Sequence, residues 1–322
     1  MRKIEEFYDW GYTLGLKGET ILAKGVNKTK RLSPESRLIL SGIGSLSSEV
    51  FWKIKESQGE LMLEKGQLEL YYFGRPSNKL VLNQIKAYLD VEVCSRIATS
   101  ILRAAALNKL KVLEVLNVPR IVFEESKRRV EALLETLSGT SLSRLMGVEA
   151  AMSKVYYNAL RSIIPVEYGF TARTRRPPED CFSAALSFGN MILYRVIVKQ
   201  IIKRGLDPRI GFLHIPFRDR PSLALDIAEE FRQFIVDVAV VPLFTSKSMS
   251  LNKDFKRKDS GVFLSKSGRA KTSKVIHHRL NLKTSSGKVL DLIDTQVKKL
   301  IEFLEGKANY YEPFTIESYL ER

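Results

Sequence analysis

The chain has 322 residues, 44% hydrophobic and 27% charged, an ordinary globular composition with room for about two domains. Fifty-two Lys and Arg against 36 Asp and Glu leave a formal charge of +16, which favours a polyanionic partner: nucleic acid or an acidic membrane face. No apolar run reaches the roughly 18 residues of a bilayer span, the N-terminus lacks a signal-peptide stretch, and Cys94 and Cys181 are too few for a disulfide framework or cysteine-rich zinc module. A reducing, cytoplasmic compartment is therefore expected.

In chain order, the first eighty residues read as mostly strand. Tyr12 to Lys24 holds two β-prone stretches around Gly18, and Arg37–Leu40 is a further apolar strand. Ser47 or Ser48 can cap a short helix that buries Val50, Phe51 and Ile54 and that Gly59 can end. Glu60–Leu63 and Gln67–Phe73 flank the turn Glu64-Lys65-Gly66 with a period of two. Gly74-Arg75-Pro76-Ser77-Asn78 breaks the pattern, and the domain linker is placed there.

Beyond that point the period is 3.6. Helices are predicted at roughly 80–110, 120–137, 141–164, 181–204, 221–238 and 288–305, with Asp180 as N-cap and Gly205 as C′ of the fourth. The expected fold class is α+β: a small β-rich domain over 1–78, then a larger α-helical domain over 79–322. Between Thr245 and Lys288 twelve Lys and Arg face only Asp254 and Asp259, so this segment holds +10 of the +16. Its poor periodicity and high Ser content predict a mobile flap over phosphates, or else a solvated loop.

Glu149 carries the most information. It falls near the centre of an apolar stripe formed by Leu142, Leu145, Met146, Tyr156, Leu160 and Ile163, with Ser153 one turn on. A carboxylate there costs several kcal/mol unless an ion pair, a shared proton or a metal offsets it. His214 lies in an apolar stretch ending at Pro216, a place for a hydrogen-bonded core histidine or a ligand. His277 and His278 sit in the basic segment and are expected to be solvated or near phosphate. Asp226, Glu229 and Glu230 lie on the helix opened by Pro221, with Asp226 flanking its apolar stripe and Glu229 roughly opposite. Glu149, His214 and Asp226 together make an O/N/O set suited to Mg²⁺ or Mn²⁺. Arg173, Arg175 and Arg176 precede a helix N-terminus, and Arg218 and Arg220 follow His214; guanidinium groups there can fork onto phosphate or pair with surface acids.

These residues lie in recognisable runs. Arg175–Asn190, Gly205–His214 and Arg220–Arg232, with Gly147-Val148-Glu149-Ala150-Ala151, Gly261–Ser265, Gly268-Arg269 and Gly42–Ser47, resemble the CRISPR-associated protein one family over nearly the whole chain. Ala150 stands where glycine is common and Ser183 where asparagine is usual. The resemblance implies a metal-dependent endonuclease and integrase of CRISPR spacer acquisition, an antiviral defence. Its ligands would be Glu149, His214 and Asp226, with Glu229 a nearby acid. It further implies a homodimer formed through the β-rich domain, CRISPR-associated protein two as partner, and double-stranded and branched DNA as substrate. The rival readings are a non-catalytic architectural DNA binder and a mobile-element integrase of the same fold.

Overall fold

The computed structural model describes residues 3–65, 69–73, 78–137, 142–284 and 287–320, and the chain divides into two compact units, Met1–Asn78 and Lys79–Arg322. In the first unit Ile4–Tyr8 (β1), Arg37–Ser41 (β5), Glu60–Lys65 (β7) and Glu69–Phe73 (β8) form one sheet in the order β1-β5-β7-β8. Tyr12–Lys17 (β2), Thr20–Lys24 (β3), Thr29–Leu32 (β4) and Gly44–Leu46 (β6) form another in the order β4-β3-β2-β6. Phe7, Leu38, Leu40 and Leu61 of the first sheet share a core with Leu14, Ile21, Ala23 and Leu32 of the second, and Ser48–Glu56 (α1) adds Val50 and Ile54. Ser47 is the N-cap of α1; its hydroxyl accepts from the Val50 N–H at 3.4 Å. The linker expected at Gly74–Asn78 lies, apart from Asn78, outside the described residues, as does Gly66 of the expected turn.

Three strands escape a reading by period. β1 and β4 carry charge where alternation predicts apolar residues: Glu5 is buried in β1, its carboxylate accepting from the Ser33 N–H at 2.7 Å, and β4 buries only Leu32. β6 spans three residues, too few to show a period.

The second unit is helical: Asn78–Leu89 (α2), Val91–Val115 (α3), Arg120–Glu135 (α4), Leu142–Arg161 (α5), Cys181–Arg204 (α6), Ser222–Arg232 (α7), Val238–Thr245 (α8), Leu251–Asp254 (α9), Lys266–Asn281 (α10), Val289–Leu304 (α11) and Ile316–Leu320 (α12). The single helix expected over 80–110 is two, because the Asp90 carboxylate accepts from the Glu92 and Val93 N–H groups at 3.0 Å and caps a new helix. α6 matches its predicted bounds, with Asp180 accepting from the Ser183 N–H at 2.7 Å and Gly205 left-handed at φ 88°. By length and apolarity α6 alone among the described helices passes as a membrane span, but 61% of its apolar window is buried inside the protein, where it packs on α7, α10 and α11. The helix expected to end at 238 continues through a π-helical turn, Gln233–Asp237, into α8. Gly189 of α6 lets that turn approach: a Cβ there would meet Val236 at 2.7 Å.

The described part of the mobile flap expected at 245–288 (245–284 and 287–288) is instead folded. Phe255–Lys258 (β9) and Gly261–Leu264 (β10) pair as a hairpin ahead of α10, and Lys283–Thr284 (β11) pairs with Gly287–Lys288 (β12). Asp254, one of the segment's two acids, is its buried hub, accepting from the Ser250 N–H, the Ser267 hydroxyl and the Lys271 ammonium, each at 2.7 Å. The buried stripe of α10 is Gly268, Thr272, Ile276 and Leu280, half of it small or polar, so it carries almost no hydrophobic period.

The segment from Tyr311 to Ile316 is strapped onto the helices. Glu230 of α7 accepts from the Tyr311 hydroxyl and the Phe314 N–H at 2.7 Å each, and Phe314 stacks on Phe231 at 4.5 Å. Burial pushes the Glu230 carboxyl up to about 8 from an ordinary 4.5. A raised acid contributes stability in full below its unfolded pKa and loses it as pH climbs to the folded one, here between about 4.5 and 8. Thermal midpoints of the wild type and Glu230→Gln should therefore shift in the variant's favour as pH rises through that window; a pH-independent difference would show that Glu230 is ionised when folded.

Candidate metal and nucleic-acid site

The loop between α6 and α7 is shaped by one carboxylate. Asp226, fully buried on α7, accepts from the Phe212 and Leu213 N–H groups through Oδ2, at 2.5 and 3.1 Å. Its Oδ1 takes the His214 N–H and stands 2.8 Å from His214 Nδ1. Gly211 is required for this approach, since a Cβ there would lie 2.8 Å from Asp226 Oδ2 and 2.7 Å from the Ser222 carbonyl carbon. Gln84 of α2 fixes the same loop from outside, donating to the Asp207 and Ile210 carbonyls at 2.8 and 2.7 Å. Burial alone would lower the His214 imidazole, but the bonded Asp226 outweighs it and raises the pKa above the ordinary value. With Nδ1 committed to Asp226, Nε2 is the nitrogen left to bind a ligand.

Asp226 has both oxygens engaged by four donors and so holds the His214 loop. Glu229 was read as lying opposite the apolar stripe, yet α7 is buried nearly all round and Glu229 is 1% exposed. Its Oε1 receives Arg232 Nη1 at 2.9 Å, and its Oε2 makes no hydrogen bond among the described residues, with Lys109 Nζ 3.9 Å away. Burial would raise Glu229, but Arg232, Lys109 and His214 together outweigh it and hold the carboxyl below its ordinary range.

Glu149 of α5 is buried as its stripe position requires, and its Oε1 accepts from the Ser153 hydroxyl at 2.7 Å. Lys109 of α3 belongs to the same buried charge cluster: burial lowers its ammonium, while Glu229, Glu149 and Asp237 act in the opposite direction. Arg232 is anchored by Nη2 on the Tyr194 hydroxyl at 2.8 Å. Asp237, in the π-helical turn, accepts from the Tyr156 hydroxyl at 2.9 Å through Oδ2, leaves Oδ1 without a partner among the described residues, and is pushed by burial up to about 6. Sequence reading missed Lys109, Arg232 and Asp237. Lys109 was findable by the signal that found Glu149, for it breaks the apolar stripe Ile101, Ala105, Lys109, Val112; Arg232 sits one helical turn from Glu229.

The five arginines divide. Arg175 and Arg176 are exposed, and Arg218 is exposed with its guanidinium 5.2 Å from the Phe217 ring. Arg173 turns inward, donating to the Ser187 hydroxyl at 2.9 Å and lying 6.0 Å from the Tyr157 ring. Arg220 is bound into its own loop through the Ile215 carbonyl and Ser222. The hairpin of β9 and β10 joins the arginine segment: the Val262 N–H donates to the Pro178 carbonyl at 2.8 Å, and Gly261, at φ 124°, leaves no room for a Cβ beside Pro178. Arg175, Arg176, Lys256 and Lys258 thus lie on two directly bonded segments, all exposed. His277 and His278 are exposed on α10.

A family model described as CRISPR associated protein Cas1 matches residues 11–277. The chain belongs to the Cas1 family. A CRISPR-associated endonuclease Cas1 from Methanothermobacter thermautotrophicus is 30% identical over 282 residues, 81% of each chain. The structure of a Cas1 protein from Thermotoga maritima superposes with a TM-score of 0.76 at 25% identity, covering 96% of this chain and 99% of that one. A casposase bound to integration product has the same fold, with a TM-score of 0.72 at 24% identity and 96% and 98% coverage. The Cas1 architecture, strands followed by a helical domain, is therefore the expected α+β class.

Proposed function

We propose that this Cas1 chain is a divalent-metal-dependent DNA endonuclease and integrase of CRISPR adaptation, joining the 3′-hydroxyl ends of spacer DNA to the CRISPR repeat. The observation that carries it is Glu229 Oε2: a buried oxygen without a hydrogen-bond donor among the described residues, on a carboxyl that Arg232, Lys109 and His214 hold below its ordinary range. An orphaned acceptor of this kind calls for a cation. No group of three His, Cys, Asp or Glu side chains among the described residues is already gathered in metal-ligand geometry; Lys109 and Arg232 face the carboxylates instead. The donor chemistry nevertheless fits, two carboxylates and an imidazole suiting Mg²⁺ or Mn²⁺. Glu149, His214 through Nε2, and Glu229 would hold the ion, which supplies charge neutralisation at a nonbridging phosphate oxygen and a more nucleophilic hydroxyl.

The chain's own residues do the rest. Asp226 keeps the proton on His214 Nδ1, and Arg232 fixes the Glu229 carboxylate. Arg175, Arg176, Arg218, Lys256 and Lys258 take up DNA phosphates. The incoming 3′ oxygen forms a bond to the target phosphorus as the target strand's P–O bond breaks, and the hydroxyl proton ends on the departing 3′ oxygen. No protein nucleophile is required. With water in place of the hydroxyl the same site cuts DNA. The β-rich unit is the proposed homodimer surface and Cas2 the proposed partner.

The test is strand transfer of a 3′-hydroxyl duplex into a repeat-bearing plasmid with Cas2. Joined product should need Mn²⁺ or Mg²⁺ and vanish with a 3′-dideoxy end. Product that survives chelation or the blocked end would overturn the reading. Equal use of plasmids lacking the repeat would favour a mobile-element integrase, and DNA binding with no product an architectural protein.

A further inference from the structure

Lys109 is an unusual residue to find where it is. Its side chain is 2% exposed, on the apolar stripe of a 25-residue helix, and a lysine is almost never so buried without a partner of opposite charge. Its closest carboxylate oxygen, Glu229 Oε2 at 3.9 Å, lies beyond hydrogen-bond reach, so the pair is held by charge and not by a shared proton. The other cation, Arg232, bonds the opposite oxygen of the same carboxylate at 2.9 Å and is tied down on Tyr194. The two cations thus flank Glu229, Arg232 fixed by hydrogen bonds and Lys109 without one among the described residues. Burial lowers the Lys109 ammonium, and the charges of Glu229, Glu149 and Asp237 oppose that lowering.

We infer that Lys109 is a built-in counter-cation of this site: its ammonium balances the Glu229 carboxylate when no metal is bound, and it competes with the divalent ion for that carboxylate. The inference rests on the metal reading above and adds a residue that sets how tightly the ion is held. Like charges close together in a poorly solvated site repel strongly. A dication entering beside a retained ammonium therefore binds more weakly than in its absence, and an empty carboxylate cluster without the ammonium is less stable than with it. Lys109 acts through the Glu229 carboxylate and is therefore a positioning residue, whereas Arg232 is tied to both Glu229 and Tyr194.

The experiment uses the full chain as wild type, Lys109→Met and Lys109→Arg, with two readouts independent of activity: Mn²⁺ affinity by calorimetry, and the thermal midpoint with and without saturating Mn²⁺. Lys109→Met should unfold earlier than wild type without metal, bind Mn²⁺ about tenfold tighter or more, and gain more from it in thermal midpoint. Lys109→Arg, which keeps the charge, should bind Mn²⁺ no tighter than wild type. Equal Mn²⁺ affinity in wild type and Lys109→Met would overturn the competition while leaving the metal reading intact. Absence of Mn²⁺ binding in both would overturn the metal reading and this inference with it. If Lys109→Met does not fold, Lys109→Gln, which keeps polarity without charge, is read by the same outcomes.

Discussion

Glu149→Gln and Glu229→Gln should each lower single-turnover strand transfer by about 10³ or more, the rate equivalent of the several kcal/mol of charge stabilisation that a bound dication supplies. Both substitutions keep volume and a carbonyl oxygen but remove the negative charge. They differ in what they do to the fold. Among the described residues Glu149 makes one side-chain hydrogen bond, to Ser153, which a glutamine oxygen can still accept, so Glu149→Gln should unfold close to wild type. Glu229 balances two buried cations, and neutralising it leaves Lys109 and Arg232 uncompensated, a change of roughly 3–5 kcal/mol in comparable buried pairs. Loss of transfer in both variants, with a depressed thermal midpoint only in Glu229→Gln, is the expected signature. Full activity in Glu229→Gln would return the ligand role to another acid.

What the sequence made legible follows from where the physical signal lies. Glu149 was visible because a single charge interrupts an otherwise apolar helical stripe, and no tertiary knowledge is needed to see the cost. Asp226 and Glu229 were both visible as acids on one helix, but telling them apart needs to know what faces them. The donors that saturate Asp226 are backbone N–H groups twelve to fourteen residues away, and backbone donors leave no trace in side-chain pattern. The arginines show the same limit: composition marks the cluster from Arg173 to Arg176, but only packing against Ser187 and Tyr157 tells that Arg173 points in while its neighbours stay out. The basic segment misled for a different reason. Its folding rests on one buried acid, Asp254, and on a stripe of Gly268 and Thr272 that reads as polar, so net charge hid an ordered hairpin and helix.

Asp226→Ala is the second large expected effect, and it acts through the loop. Removing the carboxylate leaves three backbone N–H groups and His214 Nδ1 without their acceptor, two of the N–H groups in fully buried residues. At about 1–3 kcal/mol for each buried donor left unpaired, with part recovered by water, the loss is roughly 3–5 kcal/mol and a clear drop in thermal midpoint. Asp226→Asn should not rescue it. The two oxygens each serve donors, so whichever way an amide is turned its NH₂ meets N–H groups that also donate. Both variants should in addition release His214 from its fixed tautomer, which nitrogen NMR of the imidazole reads directly: protonation shared between Nδ1 and Nε2 in place of Nδ1–H alone. Strand transfer should fall with the loss of that order, because a histidine that has no fixed tautomer offers Nε2 only part of the time. The contrast with Glu149→Gln separates the two kinds of residue. Glu149 can be neutralised with the fold intact, whereas removing the carboxylate that builds the loop costs stability, and an Asp226→Ala protein as stable as wild type would show that the 212–214 loop is held by something else.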